Sequence, residues 1–287
     1  MPLPMHQNKP PPHPLASIKA VVAIAAGKGG VGKSSVTVNL ALALKAKGYS
    51  VGIMDTDIYG PSIRRMLPED RLPSQKGQII TPALCSGIKM ISMAYFRKEE
   101  EATVVRAPIA NGLISQFIKN VDWGTLDYLL IDFPPGTGDV QLTLSQQANL
   151  VGAIMVTTPQ EVAVMDVRKA MHMFDQVKVP IIGVIENMSY YLPEDRKEPL
   201  YIFGKGGGER LARETGVPFL GQIPIEPDLC QSCDSGKSLF ELDPGIKKNA
   251  TRAFMDLGDQ LVAHVGALQA DTSNCLQHFE LTWKEMR

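Results

Sequence analysis

The stretch Gly27-Lys28-Gly29-Gly30-Val31-Gly32-Lys33-Ser34 decides how this chain reads. It satisfies G-x-x-x-x-G-K-[ST] at every position. It lies between an apolar run, 20–26, and an Ala/Leu-rich run without Gly or Pro, 33–47. Strand, loop, helix is the context that a phosphate-binding loop requires. Its glycines let the backbone wrap closely and aim N–H groups inward, and a helix opening near Lys33 adds roughly half a positive charge at its N-terminus. Lys33 supplies an ammonium for the β- and γ-phosphates, and Ser34 a hydroxyl for Mg2+. The expected ligand is ATP with Mg2+, bound by Gly27, Lys28, Gly29, Gly30, Val31, Gly32, Lys33, Ser34 and the adjoining Ser35.

The same strand–loop–helix rhythm runs outward from the loop. Strands are expected at 20–25, 51–54, 128–131, 152–156 and 181–185, and helices at 33–47 and 160–177. The strands are apolar without alternation, as strands covered on both faces are. Alternation with helices predicts an α/β fold: a doubly wound, mostly parallel sheet with helices on both faces. Segments 68–105 and 190–208 are less regular, with one further strand expected at 89–94. Six of the first fourteen residues are proline, so 1–17 reads as a disordered leader, 18–268 as one ATPase domain, and 269–287 as a tail with a helix expected.

Acids complete the site. Asp55 and Asp57 follow the second strand, and Asp132 ends the third before Phe133-Pro134-Pro135-Gly136. An acid at the carboxyl end of a buried strand lies where open α/β sheets bind ligands. Asp132 is therefore the candidate for holding Mg2+ and its waters. Asp57 is the candidate for orienting the attacking water, a role left open between it and Asp55.

Composition narrows the class. The net charge is −1, which disfavours a nucleic-acid-coating role. No apolar run approaches the roughly 18 residues of a membrane span. Four cysteines in 287 residues make no disulfide framework. The expectation is a reduced, cytoplasmic protein with no membrane or nucleic-acid partner, in which a cysteine pair serves metal or redox chemistry.

Lys28 is a second lysine inside the loop, and phosphate chemistry alone does not require it. The string Gly27 to Ser34 resembles the deviant Walker A motif of the ParA, MinD and nitrogenase iron-protein superfamily. Asp57-Ile58-Tyr59-Gly60-Pro61-Ser62, Trp123-Gly124-Thr125-Leu126-Asp127-Tyr128 and Glu186-Asn187-Met188-Ser189 resemble its Mrp/ApbC branch of iron–sulfur cluster carriers. The resemblance implies a homodimer in which Lys28 reaches the partner's nucleotide, slow dimer-coupled hydrolysis, and Asn187 hydrogen-bonded to the adenine. The catalytic set it implies is Lys28, Lys33, Asp57 and Asp132. It also implies an iron–sulfur cluster, of [4Fe–4S] type, delivered to apoproteins.

Two departures stand out. Many relatives carry Cys-x-x-Cys shortly after Asn-Met-Ser, and 190–195 holds no cysteine here. Arg106-Ala107-Pro108 has Ala where the family has Gly. A displaced pair occurs at Cys230-Gln231-Ser232-Cys233. Two thiolates cannot hold a four-cysteine cluster, but a two-fold dimer supplies four. The simpler reading puts these residues in a turn before Gly236. Cys85 and Cys275 are isolated. Leu276, Phe279, Trp283 and Met286 recur at helical spacing, for docking on the body or on a partner. The alternative function is a MinD/ParA-like dimeric ATPase switch acting through protein partners without a cluster. A nitrogenase-reductase reading would need cysteines near 90–100 and beside Asp132, and neither stretch has one.

Overall fold

The computed structural model describes residues 13–57, 60–96, 107–193 and 195–285, with the side chains of 107 and 272–285 set aside. Strands β1 (Ile18–Ala25), β2 (Val51–Asp55), β3 (Ser74–Lys76), β4 (Ile79–Thr81), β5 (Ala83–Cys85), β6 (Ile88–Ser92), β7 (Leu126–Asp132), β8 (Gly152–Thr157), β9 (Ile181–Glu186) and β10 (Phe219–Gln222) follow in chain order. The helices are α1 (Lys33–Ala46), α2 (Ile63–Met66), α3 (Ala107–Asn120), α4 (Asp139–Gln147), α5 (Glu161–Gln176), α6 (Gly207–Thr215), α7 (Pro227–Ser235), α8 (Leu239–Leu242) and α9 (Asn249–Glu285).

Eight strands form one sheet in the order β10-β9-β8-β1-β7-β2-β6-β5, and β3-β4 stand apart as an antiparallel hairpin. Every neighbour pair in the large sheet is parallel except β5–β6 at one edge. The expected doubly wound sheet is therefore present. All five expected central strands are found, each within a few residues of the reading. The segment expected as a strand at 89–94 ends at Ser92 and continues as a single 3-10 turn, Met93–Phe96.

The two faces bury two cores. On β1 the side chains of Ala20, Val22 and Ile24 face one core, and Val21, Ala23 and Ala25 the other. On β7 Tyr128 and Leu130 face the first, and Leu129 and Ile131 the second. Apolar residues on both sides explain why no alternation was visible in the sequence. The first face is covered by α1 and by the α9 stripe Ala250, Phe254, Leu257, Leu261 and Val265, all buried. The second is covered by α3, α4, α5 and α6.

Two expectations need correction. Residues 13–17 were expected within the disordered leader, yet they pack on the body. Leu15 is buried in the second core, His13 Nε2 lies 2.9 Å from the Gln147 carbonyl, and the Ser17 hydroxyl donates to the Gly124 carbonyl. One apolar side chain with a slot to fill is enough to hold a proline-rich segment down. Residues 1–12 of that leader lie outside the described residues. The cysteine pair, which the simpler reading puts in a turn, sits within helix α7, which Pro227 opens and Gly236 ends. Helix α9 runs unbroken through position 269. The stripe Leu276, Phe279, Trp283 and Met286 and the thiol of Cys275 lie outside the described side chains, as do Ile58, Tyr59 and Arg106. No described helix is long and apolar enough to cross a membrane.

Candidate functional site

β1 lies between β7 and β8, and the chain leaves its carboxyl end at residue 26 to turn directly into the phosphate loop. The ends of β2 and β7 lie alongside, with Asp55 and Asp132 in register across the sheet. The edge where open sheets take ligands therefore gathers the loop and all three predicted acids, Asp55, Asp57 and Asp132. The loop is held from behind by close backbone contact: a Cβ on Gly27 would stand 2.0 Å from the Asp166 carbonyl carbon of α5. That contact, and not only wrapping around a phosphate, requires glycine at this position.

Asp132 is fully buried and is the hub of the site. Its Oδ2 accepts from Ser34 Oγ at 2.7 Å and pairs with Lys33 Nζ at 2.7 Å. Its Oδ1 accepts from Thr37 Oγ1 at 2.8 Å. Thr37 lies one turn after Lys33 on α1, and that spacing was the signal by which it could have been found. Lys33 is itself buried, and its Nζ also lies 4.0 Å from Asp57 Oδ2. A buried ammonium and a buried carboxylate satisfy each other here, as such charges must.

Asp55 is fully buried too. Its Oδ2 accepts from Ser92 Oγ at 2.7 Å, and its Oδ1 from the Asp57 N–H at 3.1 Å. Burial first, and then the neighbouring Asp132 carboxylate, push the Asp55 carboxyl up to about 7. Asp55 thus braces the turn that presents Asp57, while Asp57 itself faces the cavity. Ser92, at the end of β6, had no signal in the sequence.

A cavity of about 400 Å³ opens in front of the loop. Lys28, Gly29, Gly30, Gly32, Lys33, Ser34, Ser35 and Asp57 line it, as the sequence reading expects of a nucleotide site. Ser62, Arg65 and Met66 of the α2 region, Pro135, Cys233 and Asp234 line it as well, and the sequence reading missed them there. They come from segments far apart in the chain, which only folding brings together. Among the described residues Lys28 is paired with no acid. Asn187, at the end of β9, is buried, and its Nδ2 donates to the Val31 carbonyl at 2.8 Å, tying this strand end to the loop. The adjacent Glu186 is wholly buried; its Oε2 accepts from the Gly208 N–H at 2.6 Å and its Oε1 from Ser189 Oγ.

The cysteines divide. Cys85 is a core thiol, pushed up to about 12 by burial. Cys230 is exposed, with its Sγ 3.7 Å from Asp234 Oδ2. Cys233 is half-buried beside Ser35 and Asn39 of α1, and burial raises its thiol. No group of three or more His, Cys, Asp or Glu among the described residues could hold a metal ion. Among the described residues, the thiols outside the core are those of Cys230 and Cys233.

The comparisons agree with this geometry. Residues 17–262 match the ParA family model described as NUBPL iron-transfer P-loop NTPase. The chain is 40% identical over 268 residues to an iron-sulfur cluster carrier protein of Synechocystis, covering 91% of this chain and 75% of that one. It is similar to the nucleotide-binding protein of Archaeoglobus fulgidus solved with ADP (TM-score 0.71, 37% identity, 84% of this chain and 93% of the other). The MinD cell division ATPase of Pyrococcus furiosus shares the fold alone (TM-score 0.61, 20% identity, 85% of this chain and 99% of the other). With its phosphate loop, buried acid pair and sheet order in place, the chain belongs to the NUBPL iron-transfer P-loop NTPase family.

Proposed function

We propose that this protein binds and hydrolyses ATP as a homodimer and uses that cycle to carry iron–sulfur clusters to apoproteins. The observation that carries the reading is the cavity in front of the phosphate loop, which Lys28, Lys33, Asp57 and Cys233 share. It puts phosphate-binding groups and a thiol on one wall. The relatives' names supply the cargo, an iron–sulfur cluster.

Lys33 Nζ pairs with the Asp132 carboxylate. A bound β,γ-phosphate draws the ammonium away, because two or three phosphate charges outcompete one carboxylate. The Asp132 carboxylate and the Ser34 hydroxyl are then released together. They form an all-oxygen pair of the kind Mg2+ takes, so these residues fit the ion. Ser34 and Asp132 would hold the ion, which would supply positive charge against the phosphates. Asp57, half-buried at the cavity wall, orients the attacking water, and Asn187 faces the adenine. Lys28, which lines the cavity, serves the nucleotide of the partner. A cation supplied in this way is worth about 10³–10⁵ in rate, so hydrolysis is slow until two copies meet.

The pair Cys230 and Cys233 replaces the Cys-x-x-Cys missing after Asn187, and two copies together supply four thiolates for a [4Fe–4S] cargo. The protein works in the cytoplasm, without a nucleic-acid or membrane partner. Anaerobic reconstitution with iron and sulfide tests the reading. We expect close to four irons per two chains, lost in the Cys230→Ala/Cys233→Ala variant. No iron in the unaltered protein would favour the dimeric ATPase switch that acts through protein partners without a cluster.

A further inference from the structure

Helix α7 carries Cys230 and Cys233 three residues apart, so both thiols rise from one side of one helix. In a helix that spacing puts the two Cα atoms roughly 5 Å apart, inside the range that a disulfide spans. A Cys-x-x-Cys on a helix of an α/β protein is also the arrangement of dithiol redox motifs. What sets this pair apart is its surroundings. Cys230 is exposed and Cys233 half-buried, with the inner thiol against Ser35 and Asn39 of the helix that begins at the phosphate loop.

The two sites share a wall. Cys233 and Asp234 line the phosphate cavity along with Arg65 and Met66 of α2. The Ser35 hydroxyl donates to Met66 Sδ at 3.5 Å, so α1, α2 and α7 meet at this wall. α7 is seated on α2 with no slack: a Cβ on Gly236 would lie 2.9 Å from the Pro68 ring and 3.2 Å from the Arg65 carbonyl oxygen. To reach Cys230, the Cys233 Sγ must leave Ser35 and Asn39 and swing toward the solvent side of α7. With α7 seated in this way, the movement disturbs the wall that a nucleotide occupies.

We propose that Cys230 and Cys233 form a dithiol–disulfide pair coupled to nucleotide occupancy: nucleotide in the cavity holds the pair reduced, and the disulfide weakens nucleotide binding. This rests on reading the cavity as the nucleotide site. The oxidant is a low-molecular-weight disulfide. The exposed Cys230 gives up its proton and attacks one sulfur of that disulfide; the oxidant's S–S bond breaks and the first small thiol leaves with the proton. Cys233 then gives up its proton and attacks the Cys230 sulfur, closing the protein disulfide and releasing the second small thiol. Two protein thiols are oxidised and one small disulfide is reduced to two thiols. Nucleotide over Cys233 opposes the second step. Only the dithiol state can take up cluster cargo, so bound nucleotide also keeps the pair competent for it.

Linkage makes this testable from both directions, because the two couplings must be equal. The full-length, iron-free protein is equilibrated in buffers of oxidised and reduced glutathione, with and without saturating ADP. The fraction of disulfide is read by alkylation and mass spectrometry. ADP affinity is measured by calorimetry on the reduced and the oxidised protein. We expect ADP to shift the midpoint of the pair by at least tenfold, about 30 mV for a two-electron couple, toward the dithiol. We expect the oxidised protein to bind ADP more weakly by the same factor, and the Cys230→Ser protein to bind ADP equally in both buffers. ADP binding that leaves the midpoint unmoved overturns the coupling, as does a pair that forms no disulfide at any ratio. Failure of the reduced protein to bind ADP overturns the nucleotide reading and this inference with it. Iron retention is not a readout here, so the fate of the cluster reading is decided separately.

Discussion

Asp55 and Asp132 face each other across adjacent strands, and the sheet gives them different surroundings. Asp132 meets an ammonium and two hydroxyls, whereas Asp55 meets one hydroxyl and one backbone N–H. Burial, and then the neighbouring Asp132 carboxylate, raise the Asp55 carboxyl to about 7 from 3.8. Its raised value has a consequence for stability. Below about pH 4 the Asp55 side chain is protonated in both folded and unfolded chains and contributes no difference. Between about 4 and 7 the unfolded chain releases the proton while the folded chain keeps it, so stability falls as pH rises, and it levels off above 7. A shift of this size corresponds to something on the order of 4 kcal/mol across the window. Asp55→Asn removes the titration while keeping an acceptor for Ser92. We expect urea denaturation at pH 4.5 and 7.5 to show the variant gaining a few kcal/mol relative to the unaltered protein at the higher pH. Equal stability differences at both pH values would show that Asp55 is ionised in the folded chain throughout.

At the scale of elements, the short helix α7 matters more than its nine residues suggest. It ends at Gly236, whose φ of 69° lies in the left-handed region, and the next contact is the Pro68 ring after α2. A side chain at 236 therefore meets two costs together: about 1–2 kcal/mol for the backbone and a further steric cost against a rigid ring. We expect Gly236→Ala to lower stability by roughly 2–3 kcal/mol in chemical denaturation. The same variant should expose Cys233, so that its alkylation by N-ethylmaleimide becomes faster than in the unaltered protein. A loss under 0.5 kcal/mol would mean that α7 shifts freely against α2. That result would also remove the rigid link on which the thiol–nucleotide coupling depends.

At the scale of the whole molecule, the question is what a second copy adds. Lys33 is buried and paired with Asp132 of its own chain, whereas Lys28 lines the cavity and pairs with no acid among the described residues. On the proposed reading Lys33 acts within its own chain and Lys28 acts toward the partner. We expect Lys28→Ala to retain nucleotide binding and lose about 10³-fold in hydrolysis, and Lys33→Ala to lose binding. Mixing the two variants is the decisive experiment. A mixed dimer keeps one intact pair: Lys33 of the Lys28→Ala chain with the partner's Lys28. Activity should return to as much as about a quarter of the unaltered protein's level, because half of the dimers are mixed and each keeps one working site, when each variant alone is inactive. No recovery on mixing would place Lys28 in the service of its own nucleotide.

Much of this was already legible in the chain itself. Local chemistry is enough to read a phosphate loop, because its glycines, lysine and serine are consecutive and act through backbone geometry. The five central strands are legible for a related reason: burial on both faces demands unbroken apolar runs, and 128–131 can be read without knowing its neighbours. Asp132 is legible as an acid at a strand end. Its partners are a matter of packing, since Thr37 and Ser34 approach it from 95 and 98 residues away. Tertiary structure alone seats Leu15 in a core and places Asp55 beneath Asp57. It also brings Cys233 to the wall of a cavity whose floor is laid some two hundred residues earlier. Sequence spacing shows that two cysteines share a helix. What they face depends on which helices pack against that one, and that is settled by the long-range burial of apolar surface.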